Sequence, residues 1–152
     1  SIYNFSKTAE WTPSSSIPTF ASAMDVGNPS NMERFFSLYN DDKKLSREMD
    51  CISVNDEEII EQIEQQFRKS NLVICPHTAT AFKAYESLEK KEKNNHHWVI
   101  VSTAHPAKFE NIAEPIIQES IDVPTNLMTI LEKESAFTVI DSDFTSLKQF
   151  LV

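Results

Sequence analysis

The apolar residues of this chain follow two different periods, one typical of amphipathic helices and one of short buried strands. Helical spacing is clearest in the segments that start near Ser30 and Asn55, and a glutamate follows each start by three residues, as in a capping box. Short apolar runs that end at proline or polar residues predict buried strands. The predicted helices span about 30–39, 55–70, 78–90, 105–120 with a break at Pro115, 124–132 and 143–151, and the predicted strands span 51–54, 72–75, 98–101 and 137–140.

Strands that alternate with helices indicate an α/β protein with short, largely parallel strands. Residues 1–22 differ from the rest, because Pro13, Pro18 and a run of serines prevent any lasting period. We therefore predict an irregular lead-in over 1–22 and one α/β portion over 23–152.

The charge of the chain restricts its partners. Acidic residues outnumber basic ones by 23 to 14, which gives a formal net charge of −9. Such a chain repels the nucleic-acid backbone unless it has a basic patch, and its lysine clusters are interleaved with acids. No apolar run approaches the roughly 18 residues of a membrane span, and the first ten residues do not resemble a secretory signal. The sequence thus predicts a cytoplasmic protein that binds neither nucleic acid nor membrane.

Glycine and cysteine usage excludes two kinds of site. The chain contains a single glycine, Gly27, where average usage of about 7% predicts about ten. A phosphate-binding loop of the Walker or Rossmann type needs several glycines, so this chain cannot form one. The two cysteines, Cys51 and Cys75, lie in apolar runs and are expected to be core residues. The histidines lack the paired spacing of a zinc site, and we predict no metal.

Two polar segments, CPHTAT at 75–80 and STAHPAKF at 102–109, each follow a predicted strand and precede a predicted helix. Ligands of open α/β sheets bind at the carboxyl ends of strands, and a helix start offers free backbone N–H groups. Both segments are therefore candidates for ligand contacts. The same pattern fits a purely structural role in which Thr78 and Thr103 cap the helices that follow.

A third segment, AMDVGNPSNMER at 23–34, gathers polar side chains at a predicted helix start. Ser30, Asn31 and Arg34 together offer a hydroxyl, an amide and a guanidinium, a set suited to a phosphate monoester. A well-capped helix with a surface arginine would have the same sequence, and local pattern does not separate the two.

Together these segments resemble the threonine synthase family. The stretches ASAMDVGNPSNMERF at 21–35, ICPHTATAF at 74–82 and STAHPAKFENI at 102–112 match that family in content, order and approximate spacing. The likeness extends from about Thr19 to the end of the chain and is greatest to the branch found in enterobacteria and fungi. STAHPAKF is the most specific of the three stretches.

The resemblance implies a partial fold-type-II pyridoxal-phosphate enzyme, of which this chain is the carboxyl-terminal portion. The whole enzyme, a carbon–oxygen lyase acting on phosphate, would convert O-phosphohomoserine and water to threonine and phosphate. The family's cofactor-anchoring lysine and its glycine-rich cradle belong to the amino-terminal part of the same enzyme. Lys83 follows an Ala-Phe pair but lacks the rest of the lysine motif. No catalytic residue is therefore expected in this chain, and alone it is expected to be inactive and not to bind pyridoxal phosphate.

Motif matching also implies site residues. Thr103 is expected to hydrogen-bond the pyridine nitrogen of the cofactor, with Ser102 in the same network. A neutral threonine does not hold that nitrogen protonated, so the ring would be a weaker electron sink. Ser30, Asn31 and Arg34, together with Lys108, are expected to hold the substrate phosphate.

A different class of function stays open. The chain is compact enough to be a non-catalytic binding or regulatory module for a phosphorylated amino acid. A purely structural interaction protein has no positive support in the sequence.

Overall fold

A computed structural model describes residues 1–39 and 41–151 of the chain. These residues form α-helices and two short 3₁₀ helices. The α-helices are α1 (Ile2–Thr8), α2 (Met32–Leu38), α3 (Asp42–Arg47), α4 (Asp56–Ser70), α5 (Pro76–Ser87), α6 (Lys90–Asn95), α7 (Glu110–Ile117), α8 (Thr125–Leu131) and α9 (Phe144–Leu151), and the 3₁₀ helices are Ser22–Met24 and Pro106–Phe109.

The predicted sheet is absent from residues 1–39 and 41–151, in which no strand is formed. The predicted alternation of parallel strands with helices is therefore corrected for this chain. The helices between the predicted strands are largely present, but the apolar runs 51–54, 72–75, 98–101 and 137–140 have no partner strand. A strand is stable only when a neighbour pairs with its backbone groups, and sequence pattern alone does not supply that neighbour.

The chain divides into two compact units, Ser1–Ile121 and Asp122–Val152. This boundary differs from the predicted one between residues 22 and 23. The lead-in over 1–22 is also more regular than predicted, because α1 occupies its start. Phe5 of α1 is fully buried in a cluster with Met32 and Leu45, so the lead-in belongs to the core of the first unit.

Helix α4 is the best predicted element, because its end signals are local. The Asn55 side chain accepts a hydrogen bond from the Glu58 N–H at 2.9 Å, and the Glu58 carboxylate accepts one from the Asn55 N–H at 3.0 Å. The predicted capping box at this helix is therefore confirmed. Asn71 ends the helix with φ 53°, in the left-handed region that asparagine tolerates.

The inward face of α4 forms the centre of the larger core, which also involves α5 and α7. Ile59 and Ile63 are fully buried there. The buried members of this core are Ala21, Ile59, Ile63, Ile74, Ala79 and Ile117. The core therefore fixes the start of α5, next to the polar segment 75–80.

The single glycine lies where two backbone segments touch. Gly27 is buried, and a Cβ atom added to it would collide with the carbonyl group of Ser14. The Ser14 N–H donates to the Gly27 carbonyl oxygen at 3.0 Å, and the Ser1 hydroxyl donates to the same oxygen at 2.7 Å. This contact ties the lead-in to the segment that begins at Ala21.

The core description predicts unequal effects for two isoleucines of α4. Ile63→Ala removes a fully buried side chain and is expected to lower the free energy of unfolding by about 2–5 kcal/mol. Ile60→Ala is the matched control, because Ile60 is 38% exposed on the same helix, and its cost is expected to stay under about 1.5 kcal/mol. Urea unfolding followed by circular dichroism measures both values, and equal losses would contradict the assigned core face.

Candidate functional site

The three polar segments singled out in the sequence meet around the start of α5. The Ala23 N–H donates a hydrogen bond to His77 Nε2 at 3.0 Å. One residue further along α5, the Thr78 hydroxyl lies 3.0 Å from the Ser102 hydroxyl. His77 also packs against Phe109, with 4.9 Å between ring centroids. Residues that are far apart in the sequence are thus brought together at His77 and Thr78.

Local sequence explains why α5 starts where it does. Pro76 occupies the first turn, where its missing N–H costs nothing, and the preceding Cys75 has the extended backbone of an N-cap. Cys75 provides no side-chain cap. Residues 75–78 are nevertheless all buried, so this helix start is enclosed by the other two segments.

The Thr78 hydroxyl bridges two neighbours. It lies 3.2 Å from Cys75 Sγ and 3.0 Å from the Ser102 hydroxyl. Thr78 is within the helix, and so the capping role considered for it is wrong. Thr103 does not cap a helix either, because the 3₁₀ helix that follows begins at Pro106 and its cap is His105, whose Nδ1 accepts from the Ala107 N–H at 3.2 Å.

The hydrogen bond from Ala23 determines the protonation of His77. An Nε2 atom that accepts a hydrogen bond has no proton, so the neutral imidazole carries its proton on Nδ1. Burial lowers the pKa of His77 below its ordinary value of 6.5, the charge of Asp25 opposes this shift, and the charge of Lys108 adds to it. Nδ1 is buried and has no hydrogen-bond partner among the described residues. His77 is thus held in its neutral form.

Asp25 is the acid whose charge raises the pKa of His77. Hydrogen bonds from Thr19 hold its carboxylate in place. Its carboxylate accepts from the Thr19 N–H at 2.7 Å and from the Thr19 hydroxyl at 2.6 Å. On the same side, the Thr80 hydroxyl lies 3.3 Å from Met24 Sδ. Segment 21–25 is therefore attached to α5 at more than one point.

The site residues expected from the sequence fall into two groups. Ser102, Thr103 and Lys108 belong to the segment that packs on His77 and Thr78, and all three are exposed. Ser30, Asn31 and Arg34 are also exposed, at the start of α2. No side-chain hydrogen bond joins this second group to the segments 75–80 or 102–109 in the part of the chain that the structure describes.

The predicted capping box of Ser30 is not formed. Helix α2 begins at Met32 with Asn31 as its cap, and Asn31 makes no side-chain capping bond. The Glu33 N–H donates instead to the backbone carbonyl of Ser30 at 3.3 Å. Sequence pattern located this helix but placed its start two residues early.

An open cavity of about 550 Å³ lies in the first unit beside α5. Its wall includes Thr19, Met24, Asp25 and Thr80, together with residues of the lead-in and of the segment 50–54. Thr103 is not among the lining residues. Within residues 1–39 and 41–151 there is no group of three potential metal ligands, and no helix is both long and apolar enough to cross a membrane.

Sequence reasoning did not select His77 as a site residue, although the structure puts it at the centre of the three segments. The available signal was a histidine directly after the proline of a helix start. That signal is weak, because the contacts of His77 with Ala23 and Phe109 span 54 and 32 positions of the sequence.

We predict that His77 makes stability depend on pH. Unfolded His77 titrates near 6.5 and folded His77 titrates lower, so the unfolded state binds the proton first as pH falls. The contribution of His77 to stability is therefore intact above pH 6.5 and decreases below it. Urea midpoints of wild type and His77→Gln, whose amide oxygen can still accept from Ala23, are to be compared between pH 7.5 and 5.

The matched control is His96→Gln, because His96 is exposed on the surface. The difference between wild type and His77→Gln is expected to change with pH, with wild type losing more stability on acidification. A profile that stays parallel to that of His77→Gln would contradict the assignment of a buried neutral imidazole.

Comparisons with known proteins agree with the resemblance of the three segments. A family model described as threonine synthase, C-terminal, matches residues 78–151. The threonine synthase of Buchnera aphidicola from Schizaphis graminum is 30% identical over 151 residues, which are 99% of this chain and 34% of that protein. The threonine synthase of Escherichia coli K12 is 26% identical over the same shares of the two chains.

Solved structures give the same answer. The crystal structure of threonine synthase from Escherichia coli matches with a TM-score of 0.76 and 26% identity, over 97% of this chain and 34% of that one. PLP-bound threonine synthase from Brucella melitensis has a TM-score of 0.67 at 20% identity, over 99% and 37% of the two chains, and supports the fold alone. This chain therefore spans about a third of the length of the relatives it matches, and it is similar to the carboxyl-terminal portion of threonine synthases.

Proposed function

We propose that this chain is the carboxyl-terminal part of a pyridoxal-phosphate-dependent threonine synthase of the cytoplasm. The complete enzyme converts O-phosphohomoserine and water to threonine and phosphate. The observation that supports this proposal is the meeting of the three family-like segments at His77 and Thr78, through the hydrogen bonds from Ala23 and to Ser102. Segments that were matched only by their sequence are neighbours in space, as the parts of one site must be.

Thr103 and Ser102 are suited to bind the pyridine-nitrogen end of the cofactor. Thr103 is exposed, and its hydroxyl forms no hydrogen bond among the described residues, so it is free to bind the pyridine nitrogen. Ser102 is held by the buried Thr78, which fixes the backbone next to Thr103. When bound, pyridoxal phosphate supplies an electron-withdrawing ring that stabilises negative charge on the substrate carbon. A threonine at the ring nitrogen keeps this withdrawal moderate, because a hydroxyl is not acidic enough to protonate it.

The other end of the cofactor needs residues from elsewhere. With the single Gly27 engaged in a backbone contact, the chain has no loop that could cradle the cofactor phosphate. Lys83 is engaged as well, since its ammonium lies 3.5 Å from Glu58, 3.7 Å from Glu61 and 3.8 Å from Glu86. We therefore propose that the amino-terminal part of the same enzyme supplies the cradle and the anchoring lysine. This chain alone is then inactive.

Substrate binding follows from charge. O-phosphohomoserine is an anion, and we propose that Ser30, Asn31 and Arg34 bind its phosphate together with Lys108. Arg34 is exposed and forms no ion pair in the described part of the chain, so its guanidinium is free to bind two phosphate oxygens at once. Lys108 is close enough to His77 for its charge to lower the pKa of the imidazole. One of the two cationic side chains proposed to bind the phosphate therefore lies near His77, where the three segments meet.

The proposal is tested by assembling the enzyme from two polypeptides. This chain is mixed with the amino-terminal part of the same enzyme and with pyridoxal phosphate, and phosphate release from O-phosphohomoserine is measured. Activity is expected only in the complete mixture. Binding of O-phosphohomoserine by this chain alone, with no activity in the mixture, would instead support a non-catalytic binding module.

We predict that Thr103→Val changes the absorbance spectrum of the bound cofactor in the assembled enzyme and lowers turnover about 10- to 100-fold, the equivalent of one lost hydrogen bond to a polar ring. Thr138→Val is the matched control, because Thr138 is an exposed threonine outside the three segments. An unchanged spectrum and unchanged turnover in Thr103→Val would remove the proposed role of this hydroxyl.

We predict that Arg34→Gln raises KM for O-phosphohomoserine by about 10-fold or more, since a bidentate contact with a charged group contributes roughly 1.5–3 kcal/mol. Arg47→Gln makes the same change of charge at an exposed position of α3 and is expected to leave KM within about 2-fold. If both variants raise KM equally, the effect is one of net charge and Arg34 does not bind the phosphate.

A further inference from the structure

His77 is a buried side chain that takes no direct part in the proposed binding of cofactor or substrate. It is only 7% exposed. Its Nε2 accepts a hydrogen bond, whereas its Nδ1 is buried and has no partner within residues 1–39 and 41–151. A buried donor without a partner lowers stability, and an apolar side chain of similar size would avoid that cost. Packing alone therefore does not account for a histidine at this position.

The His77 ring contacts both segments that carry the residues proposed to bind the substrate phosphate. Its Nε2 accepts from the Ala23 N–H at 3.0 Å, and Ala23 is the first residue of the segment 23–34, which carries three of those four residues. The ring also packs on Phe109, with 4.9 Å between ring centroids. Phe109 is the last residue of the segment 102–109, which carries the fourth, Lys108. His77 is therefore a side chain of α5 to which both segments are attached.

A second link between the segment 23–34 and α5 is weaker. The Thr80 hydroxyl lies 3.3 Å from Met24 Sδ, and a thioether sulfur is a weak acceptor. Other hydrogen bonds tie this segment to the lead-in instead, such as the one that the Gly27 N–H donates to the Ser16 hydroxyl at 3.2 Å. Of the two links to α5, the bond to His77 is thus the one that holds the segment more firmly.

We propose that His77 is a positioning residue for the substrate phosphate, because its ring holds the two phosphate-binding segments at a fixed spacing. This inference rests on the proposed function, in which Ser30, Asn31 and Arg34 of one segment and Lys108 of the other bind O-phosphohomoserine. Several groups bind one tetrahedral anion together only when their spacing matches it, so a small displacement of either segment weakens binding. His77 acts on the affinity for the phosphate without touching it.

Inhibitors that resemble the two ends of the substrate test this role in the enzyme assembled from both polypeptides with pyridoxal phosphate. Sulfate is a tetrahedral dianion like the phosphate group, and L-homoserine is the substrate without its phosphate. His77→Leu fills the space of the ring but cannot accept a hydrogen bond from Ala23. It is expected to raise Ki for sulfate about 10-fold, as the misplacement of one charge-assisted contact does, and to leave Ki for homoserine within about 2-fold.

Two further variants separate positioning from general damage. His77→Gln keeps an acceptor for the Ala23 N–H and is expected to keep Ki for sulfate near that of wild type at neutral pH. His96→Leu is the matched control, because His96 is exposed, and it is expected to change neither Ki. An active His77→Leu enzyme with an unchanged Ki for sulfate, or with equal rises for both inhibitors, would overturn this inference and leave the proposed function standing. An assembled wild-type enzyme without activity would overturn both.

A pH series decides the question even if His77→Leu fails to fold. Sulfate keeps both charges between about pH 7.5 and 5, so a change in its Ki reports on the protein. The charged groups that act on His77 are Asp25 and Lys108, from the two attached segments, and its pKa lies below 6.5 because of burial. Protonation of Nε2 removes the acceptor, so Ki for sulfate is expected to rise below pH 6.5 in wild type relative to His77→Gln. A constant ratio of the two Ki values, or a fall because the imidazolium attracts the anion, would overturn the positioning role.

Discussion

The arrangement of the site depends on the hydrogen bond that the Ala23 N–H donates to His77 Nε2. This bond requires a neutral imidazole, and burial provides the condition by lowering the pKa of His77. It joins α5, which is anchored by the core around α4, to a segment that has little regular structure of its own. Without it, the segment before α2 would lose a main attachment to the helix start at Pro76. The protonation state of His77 and the position of the segment that contains Ala23 therefore both depend on the Nε2 atom of His77.

A second polar link, from Thr78 to Ser102, extends this arrangement to the STAHPAKF segment. Thr78 is almost fully buried, and a buried hydroxyl that is fully satisfied orders its partners. At the start of α5, His77 and Thr78 thus bind the two other segments through their side chains. Neither belongs to the residues that motif matching selects, which are exposed and available for ligands. The buried His77 and Thr78 hold the three segments in position, and the exposed residues are proposed to bind the cofactor and the substrate.

The features predicted correctly from the sequence are those that depend on residues close together along the chain. The capping box of Asn55 and Glu58 fixes α4, and the face with Ile59 and Ile63 is buried as its period requires. What depends on distant partners was not predictable in the same way. The apolar run 98–101 has the composition of a strand, but strand pairing requires a neighbour that periodicity does not specify. His77 was missed for a related reason, because its role comes from contacts across tens of residues.

The contact at Gly27 has a consequence for how the chain can vary. Ser14 and Ser15 beside it are exposed, whereas the Ser16 hydroxyl accepts a hydrogen bond from the Gly27 N–H at 3.2 Å. At Gly27 itself, even a methyl group would meet the Ser14 carbonyl. Tolerance to substitution is therefore expected to be uneven here, with any side chain excluded at Gly27 and larger side chains accepted at the exposed Ser14 and Ser15.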